Sequence, residues 1–360
     1  MRWVLADHRL LYALTIDLFV HHGMDRAVAE AIADVQVEAD LRGMYSHGLR
    51  AIPMYLDRLR LGIINPKPRL RIESMSPLSA IAHGDDGPGQ YVARSAMAEC
   101  IERAERIGMA IVTARRSNHL GAVGYYANMA VARGLIGFAT TNGNVMLPPA
   151  GSRTPVVGNN PMAWAFPAGD EPPLCYDVAT SVVAGGKIDL AAAEGDDIPP
   201  GWGVTATGSA TQDAAIAAAS GMAIPLGAPT ASHKGFGLAL VLEALAGVLS
   251  GSKFGRQHAV EVESGERPWD EGHLFVAIDP GVLMPRDEYS ARMVAFLHDV
   301  RSAGVNGTAR LPGAEAHARR EKALRDGLWL PSSIYRRLGE TAVAAGFPAL
   351  APLPLRDQIA

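Results

Sequence analysis

The chain has 360 residues, 48% of them hydrophobic and 19% charged, with a formal net charge of −4. That is enough apolar material for a sizeable core, in two domains or one large one. Lys and Arg are scattered rather than gathered into a basic stripe, which removes nucleic-acid binding from consideration, and the two cysteines, Cys100 and Cys175, form neither a disulfide framework nor a C-x-x-C pair.

Near the N-terminus Asp7, His8, Arg9 and Asp17 break up the apolar run that a secretory leader needs. The most apolar later stretch, GFGLALVLEALAGVLSG, carries Glu243 and is short for a membrane span. A reducing, cytoplasmic setting without membrane attachment is expected.

Leu11, Leu14 and Leu18 recur at helical spacing before Gly23, and Val28, Ile32, Val35 and Ala39 form a second stripe, so two amphipathic helices open the chain. Ile52, Tyr55, Leu56 and Leu59 predict a third helix over 51–61, with Pro53 tolerated in its first turn. From residue 79 the pattern changes to strand (LSAIAH), Gly-rich turn (GDDGPG), helix, strand (MAIVTA), polar turn (RRSNHLGA), helix and strand (LIGFATTN), the order of an α/β layer. Shorter strands follow at MAWAFP and PLCYDV, then helices near 182–194 and 236–250 and a strand at HLFVAID. Helical patterns near 287–303, 313–326 and 333–345 close the chain, and the Gly/Ala-rich stretch 203–231 reads as a long surface excursion.

Sharp motifs are missing. GDDGPGQ places Val92 where a G-x-G-x-x-G fingerprint needs its last glycine, and there is no P-loop, no G-x-S-x-G elbow and no H-E-x-x-H metal helix. What remains is a set of polar groups at turns: YSHG (45–48), SNH (117–119), TTNGN (140–144), GNNP (158–161), DVATS (177–181) and SHKGFG (232–237). Each has a plain structural reading. Ser46 suits a helix cap, DVATS suits another, and a lone imidazole such as His47 or His119 is more often a hydrogen-bonded structural group than an acid or base. Lys234, opposed to the dipole of the helix it opens, favours an anion-binding role.

In this order the blocks resemble the type 2 malate/L-lactate dehydrogenases, an NAD(P)-dependent family that also contains ureidoglycolate, sulfolactate and 2,3-diketogulonate oxidoreductases and Δ1-piperideine-2-carboxylate reductases. The resemblance runs from EADLRGMYSHG and GIINPKP through GDDGPGQ, SNHLGAVGYYANMA, TTNGNVMLPPAGSR, GNNPMAWAFPA and DVATSVVAGGKI to SHKGFGLALVLEALAGVLSG, AIDP and RLPGAEA. It implies a non-Rossmann α/β fold, with a mixed sheet and flanking helices plus a helical part built from both chain ends. The expected division is a helical domain of 1–72 with 286–346, an α/β domain of 73–285 carrying the cofactor, and a loose tail of 347–360. A homodimer with active sites near the interface is also implied.

By the same resemblance, His47 exchanges a proton with the substrate, Ser46 polarises it, and His119 is catalytic or lies beside the cofactor. Arg50, Asn142, Asn159 and Lys187 are candidate substrate contacts. NAD or NADP is expected to lie against His119, Gly121, Gly143, Asp177, Val178, Ala179, His233, Lys234 and the run Leu311, Pro312, Gly313, Ala314, Glu315 and Ala316, with no metal. Hydride would pass between the nicotinamide and C2 of a small 2-oxo or 2-hydroxy acid; reduction of a cyclic imine carboxylate is the alternative within that chemistry. The family's usual arginine four residues after the histidine is Ala51 here, with Arg50 one position earlier, about 100° away on a helix. Asn159, Gly143, PPAGS and Gly186 also replace the family's usual Thr, Ser, Trp-Gly-Gly and Arg. These departures keep open a catalytically impaired cofactor- or ligand-binding protein. A Ser-His hydrolase is disfavoured, because adjacent residues rarely aim at each other as nucleophile and base must.

Overall fold

The computed structural model describes residues 3–258, 269–305 and 309–350. Strand β1 (Trp3–Ala6) is followed by helices α1 (His8–His21), α2 (Arg26–Leu41) and α3 (Ile52–Arg60), the last entered through a single 3-10 turn at Leu49–Ala51. Strands β2 (Arg71–Ser74), β3 (Ser79–His83), β4 (Met109–Ser117), β5 (Ile136–Thr141), β6 (Met162–Ala168), β7 (Glu171–Val178) and β10 (Glu271–Ile278) make one sheet in the order β2-β3-β4-β10-β5-β6-β7. Only β3 and β4 run parallel, joined by helix α4 (Gly89–Ile107), and every other pairing in this sheet is antiparallel. One β-α-β unit in a mixed sheet is not the doubly wound arrangement of a Rossmann fold, in agreement with the missing fingerprint.

Helices α4 and α5 (Val123–Val131) cover one face of the sheet, bringing Val92, Ala96, Met97 and Tyr126 onto Phe275, all fully buried. The facing sheet positions are mostly alanine (Ala80, Ala82, Ala110, Ala114, Ala139 and Ala163), which lets the helices lie close. On the other face Phe138 and Leu274 pack against Leu242 of helix α8 (Ser232–Glu243), which continues into a π-helical turn at Ala244–Val248.

A second core joins α1–α3 to the C-terminal helices α10 (Ala314–Asp326) and α11 (Ser332–Ala344), around Leu18, Phe19, Ile32, Leu49, Ile52, Leu330 and Leu338. Strand β11 (Leu328–Pro331) pairs antiparallel with β1 and ties the two chain ends together. The expected grouping differs in two places. Helix α9 (Arg286–Ser302) lies against β6 and the β6–β7 turn, where Gly169 approaches Ser290 and Val294, rather than with the terminal helices. Phe347 and Leu350, expected in a loose tail, pack on the terminal core, and 351–360 lie outside the described residues. The stretch 203–231 holds a small hairpin of β8 (Gly203–Val204) and β9 (Ala210–Thr211) and a helix α7 (Ala214–Ser220). This packs against α6 (Gly185–Glu194) through Val183, Ile188, Ile198 and Ala217, so it is folded rather than an open excursion.

The Gly-rich turn serves a close approach. A Cβ on Gly89 would stand 1.9 Å from the Asn118 carbonyl oxygen, so glycine there presses the start of α4 against the loop that carries His119. From that loop the Asn118 amide donates back to the carbonyls of Asp86 and Gly87, both at 3.0 Å. Gly89→Ala must push these segments apart, with an expected cost of about 1–3 kcal/mol in a denaturant titration; an unchanged midpoint and slope would contradict this reading.

Candidate active site

The Ser46-His47 turn is built from α2. Gln36 and Asp40, one turn apart and fully buried, break the apolar face of that helix. Asp40 Oδ2 accepts from the Leu49 backbone N–H at 2.9 Å, so Asp40 caps the 3-10 turn and Ser46 does not. A Cβ on Gly48 would lie 1.9 Å from Asp40 Oδ1, which makes glycine obligatory after the histidine. Burial holds the Asp40 carboxyl well above the usual carboxylate range. In the amide orientation that satisfies its neighbours, Gln36 donates to the carbonyls of His47 at 2.9 Å and Gly48 at 2.5 Å and accepts from Gln90 at 3.1 Å. The backbone around His47 is therefore fixed from below.

With the cap supplied by Asp40, the Ser46 hydroxyl is free to pair with His47 Nδ1, at 2.8 Å. The His47 Nε2 makes no hydrogen bond among the described residues. Burial, with Arg50 and Lys187 nearby, lowers this imidazole to about 4, so it is neutral at physiological pH. The His119 ring stacks across from it, centroids 6.1 Å apart and planes 25° from parallel. His119 Nδ1 is held by the Tyr55 hydroxyl at 2.7 Å, and burial, followed by His47, lowers its pKa too. Two neutral imidazoles, each oriented through Nδ1 by a hydroxyl, thus face one another.

Arg50 projects toward α6, where its Nη2 donates to Asp189 at 3.0 Å. Position 51 points the other way, into the terminal core, and its alanine is buried. Gly186 brings α6 onto the Ser46–His47 turn, since a Cβ there would lie 3.0 Å from Ser46 Cβ; Lys187, the next residue, is exposed. Gly121 (φ 81°) meets Gln36 from the His119 loop, where a Cβ would stand 2.8 Å from its amide.

The other sequence candidates fall into two groups. Asn142 is engaged by the fold. Its amide nitrogen donates to Glu243 at 3.0 Å and the Lys253 carbonyl at 2.8 Å, and its oxygen accepts from the Gly272 N–H at 2.9 Å. Asn160 donates to the other Glu243 oxygen at 2.6 Å. Asn142 is thus a buried strut rather than an open ligand-binding group.

The second group gathers around β7. Asp177 accepts from the Gly124 N–H at 3.0 Å and so caps α5, not the helix that follows DVATS, while burial raises it to about 6. The Cys175 N–H donates to the Pro312 carbonyl at 3.1 Å, and Gly313 (φ 86°) presses on Cys175, which seats the 311–316 segment, and the start of α10, beside Asp177, Val178 and Ala179. Backbone hydrogen bonds run from Asn159 through Thr180 and Leu226 to Gly235, joining GNNP and DVATS to the first turn of α8, where His233 and Lys234 are exposed. Gly143 sits beside Glu271, 3.9 Å from its Oε1 to a Cβ built there.

Sequence reasoning missed Gln36, Asp40, Tyr55, Arg58, Glu271 and His273 as site or support residues. His273, fully buried, bridges Thr141 and Ser117 with both ring nitrogens at 2.8 Å. The available signal was polar residues on apolar faces, such as Gln36 and Asp40 among Val35, Val37, Ala39 and Leu41.

The sequence model of the malate/L-lactate dehydrogenase family matches residues 7–339. Among curated proteins the chain is 35% identical over 328 residues to the L-sulfolactate dehydrogenase of Methanocaldococcus jannaschii, covering 91% of this chain and 93% of that one. It is 31% identical over 329 residues to a Δ1-pyrroline-2-carboxylate/Δ1-piperideine-2-carboxylate reductase of Pseudomonas aeruginosa, covering 90% and 95%. Among solved structures it superposes on malate dehydrogenase from Pyrococcus horikoshii with a TM-score of 0.87 at 29% identity, over 97% of each chain.

The enclosure of His47 has a direct readout. In the free protein its ring nitrogen-15 shifts are expected to stay those of a neutral imidazole at pH 6 and to change only as pH falls toward about 4. A midpoint near the ordinary 6.5 would show that the ring is solvated.

Proposed function

Because the chain belongs to the malate/L-lactate dehydrogenase family and is an oxidoreductase of small acids, we propose that it transfers hydride between NAD(P) and C2 of a 2-oxo/2-hydroxy acid, with His47 as the proton-transfer group. The observation that carries this reading is the Ser46–His47 pair, with Nδ1 anchored at 2.8 Å and Nε2 unengaged among the described residues. With Nδ1–H donating to Ser46, Nε2 presents a lone pair that can take the proton of a substrate hydroxyl; in reduction the same nitrogen returns it. A neutral resting imidazole is the form that oxidation requires. His119, fixed by Tyr55, forms the opposite wall and can orient the substrate oxygen.

The donor set fits a dinucleotide. Helix α8 begins without a side-chain cap, its N-cap being Ala231, and it offers first-turn N–H groups with the exposed Lys234, a combination suited to phosphate. His233, the 177–179 segment and the 311–316 turn lie along the same backbone-linked surface and would hold the rest of the cofactor. The nicotinamide supplies or accepts the hydride when bound, and this chain's residues orient the acid and move the proton.

A homodimer accompanies this reading. Leu240, Val241, Val248 and Leu249 on the outer side of α8 and its π-turn are 45–57% exposed, an apolar face suited to burial against a second copy. Cys100 and Cys175 are both free and buried, which suits a reducing cytoplasm. Among the described residues no helix is long and apolar enough to cross a membrane.

Reduced NAD or NADP mixed with a panel of 2-oxo acids, with piperideine and pyrroline carboxylates beside them, should lose nicotinamide absorbance with at least one member. His47→Ala should lower kcat by about 10²–10⁴-fold with little change in KM for the cofactor. No turnover across the panel by the folded wild-type protein would refute the assignment. Light scattering should give twice the monomer mass, and Val241→Asp combined with Leu249→Asp should give the monomer; an unaltered dimer would place the interface elsewhere.

A further inference from the structure

Next to the histidine pair lies a cluster that the proton-transfer reading leaves unused. Arg58 follows Tyr55 by one turn of α3, so the two share a helix face. Helical side chains lean toward the N-terminus of their helix, so Arg58 reaches back toward Tyr55, whose hydroxyl holds His119. Its guanidinium carbon stands 4.2 Å from the centroid of the Trp269 ring. That contact seats the guanidinium over the ring but uses none of its N–H groups, and Nη1 is buried with no hydrogen-bond partner among the described residues. An arginine N–H without a partner inside a protein is costly, and the cost is removed by an anion.

The carboxyl group beside it does not supply that anion. Glu271 lies at the start of β10, between the strand ends that lead to His119 and Gly143. Its Oε1 accepts from Trp269 Nε1 at 2.7 Å, its Oε2 is buried and unpartnered, and Arg58 and Glu271 form no ion pair among the described residues. Burial holds the Glu271 carboxyl up at about 7, so near neutrality it is charged only in part. Arg58 and Glu271 also both act on Tyr55, and Arg58 acts on His119, which places the four groups in one neighbourhood. The other nearby arginine, Arg50, is occupied by Asp189.

We propose that Arg58 is the residue that grips the carboxylate of the acid substrate, its guanidinium seated over Trp269 and its buried, unpartnered Nη1 left for that anion. This rests on the reading of the protein as an oxidoreductase of small acids, and it assigns the anion to a site on α3 beyond Tyr55 instead of the helix start at Arg50. The site accepts a planar carboxylate next to a carbonyl or hydroxyl carbon, so a 2-oxo acid with its C1 carboxylate on Arg58 presents C2 toward the histidine pair.

The test is calorimetric titration of the full-length protein with oxalate, a planar dianion that cannot be reduced, at constant ionic strength. Wild type should bind oxalate. Arg58→Met should weaken binding by about tenfold or more, and Arg58→Lys, which keeps the charge but not the fork, by an intermediate factor. Circular dichroism of the three proteins checks that each is folded, and Arg58→Lys preserves the test should Arg58→Met not fold. Absence of oxalate binding by wild type, equal affinity in the Arg58 variants, or loss on Arg50→Met in place of Arg58→Met would overturn the proposal. In the nicotinamide absorbance assay the Arg58 variants should raise KM for the acid more than they lower kcat and leave KM for the cofactor in place. Arg58-dependent oxalate binding without turnover of any 2-oxo acid would refute the oxidoreductase reading alone, whereas turnover with an Arg58-independent KM would refute this inference alone.

Discussion

The contact between Asp40 and the turn after His47 is the constraint on which the site depends. A carboxyl group buried on α2 caps the Leu49 N–H, and its other oxygen fills the space where a side chain at residue 48 would be. Because Asp40 does the capping, Ser46 is released to orient His47; because Gln36, one turn earlier, holds the His47 and Gly48 carbonyls, the imidazole cannot drift with its loop. The same glutamine meets Gly121 and Gln90, so the His119 loop and the start of α4 are set against the same helix. A pair of facing histidines on two loops is thereby made as rigid as the helix beneath it.

Electrostatics follow from that enclosure. His47, His119 and His273 are all pushed below the ordinary histidine range by burial, while Asp40, Asp177 and Glu271 are pushed above the carboxylate range for the same reason. The histidine pair is therefore neutral, Asp40 is held toward its neutral form, and the half-buried guanidinium of Arg58 is a charge beside them. An arriving acid meets few competing charges, which strengthens whatever ionic contact it makes.

Much of the scaffold was legible in the sequence. The 3.6-residue stripes of α1–α3 and the alternation of strand and helix from residue 79 gave the α/β layer, and ordered turn motifs pointed to the correct family. Short pairings were invisible, because β1 and β11 are four residues each and acquire strand geometry only from one another across the whole chain. The placement of α9 on β6 was also hidden, since an amphipathic pattern says that a face is buried but not against what. Within the site, Ser46 illustrates the limit: residue type favours a cap, and only the three-dimensional position of Asp40 shows that the cap is already supplied. Asn142 is the converse, a polar turn residue whose bonding is complete once Glu243 and Lys253, more than a hundred positions later, fold over it.

The pairing of β1 with β11 bears on the order in which the protein comes into being. Helices α1–α3, which carry the Ser46–His47 turn and Arg58, bury their apolar faces against residues that include Leu328, Leu330, Ile334 and Leu338. The sheet and its α4–α5 cover are assembled from residues 71–278 and have their own core, complete before the terminal helices have been made. The helices α1–α3 must therefore wait for a segment made after the sheet, with their hydrophobic stripes provisionally uncovered. Synthesis that stops short of α11 leaves Leu49 and Ile52 without Ile334 and Leu338, so the turn that carries His47 settles only after the sheet is formed.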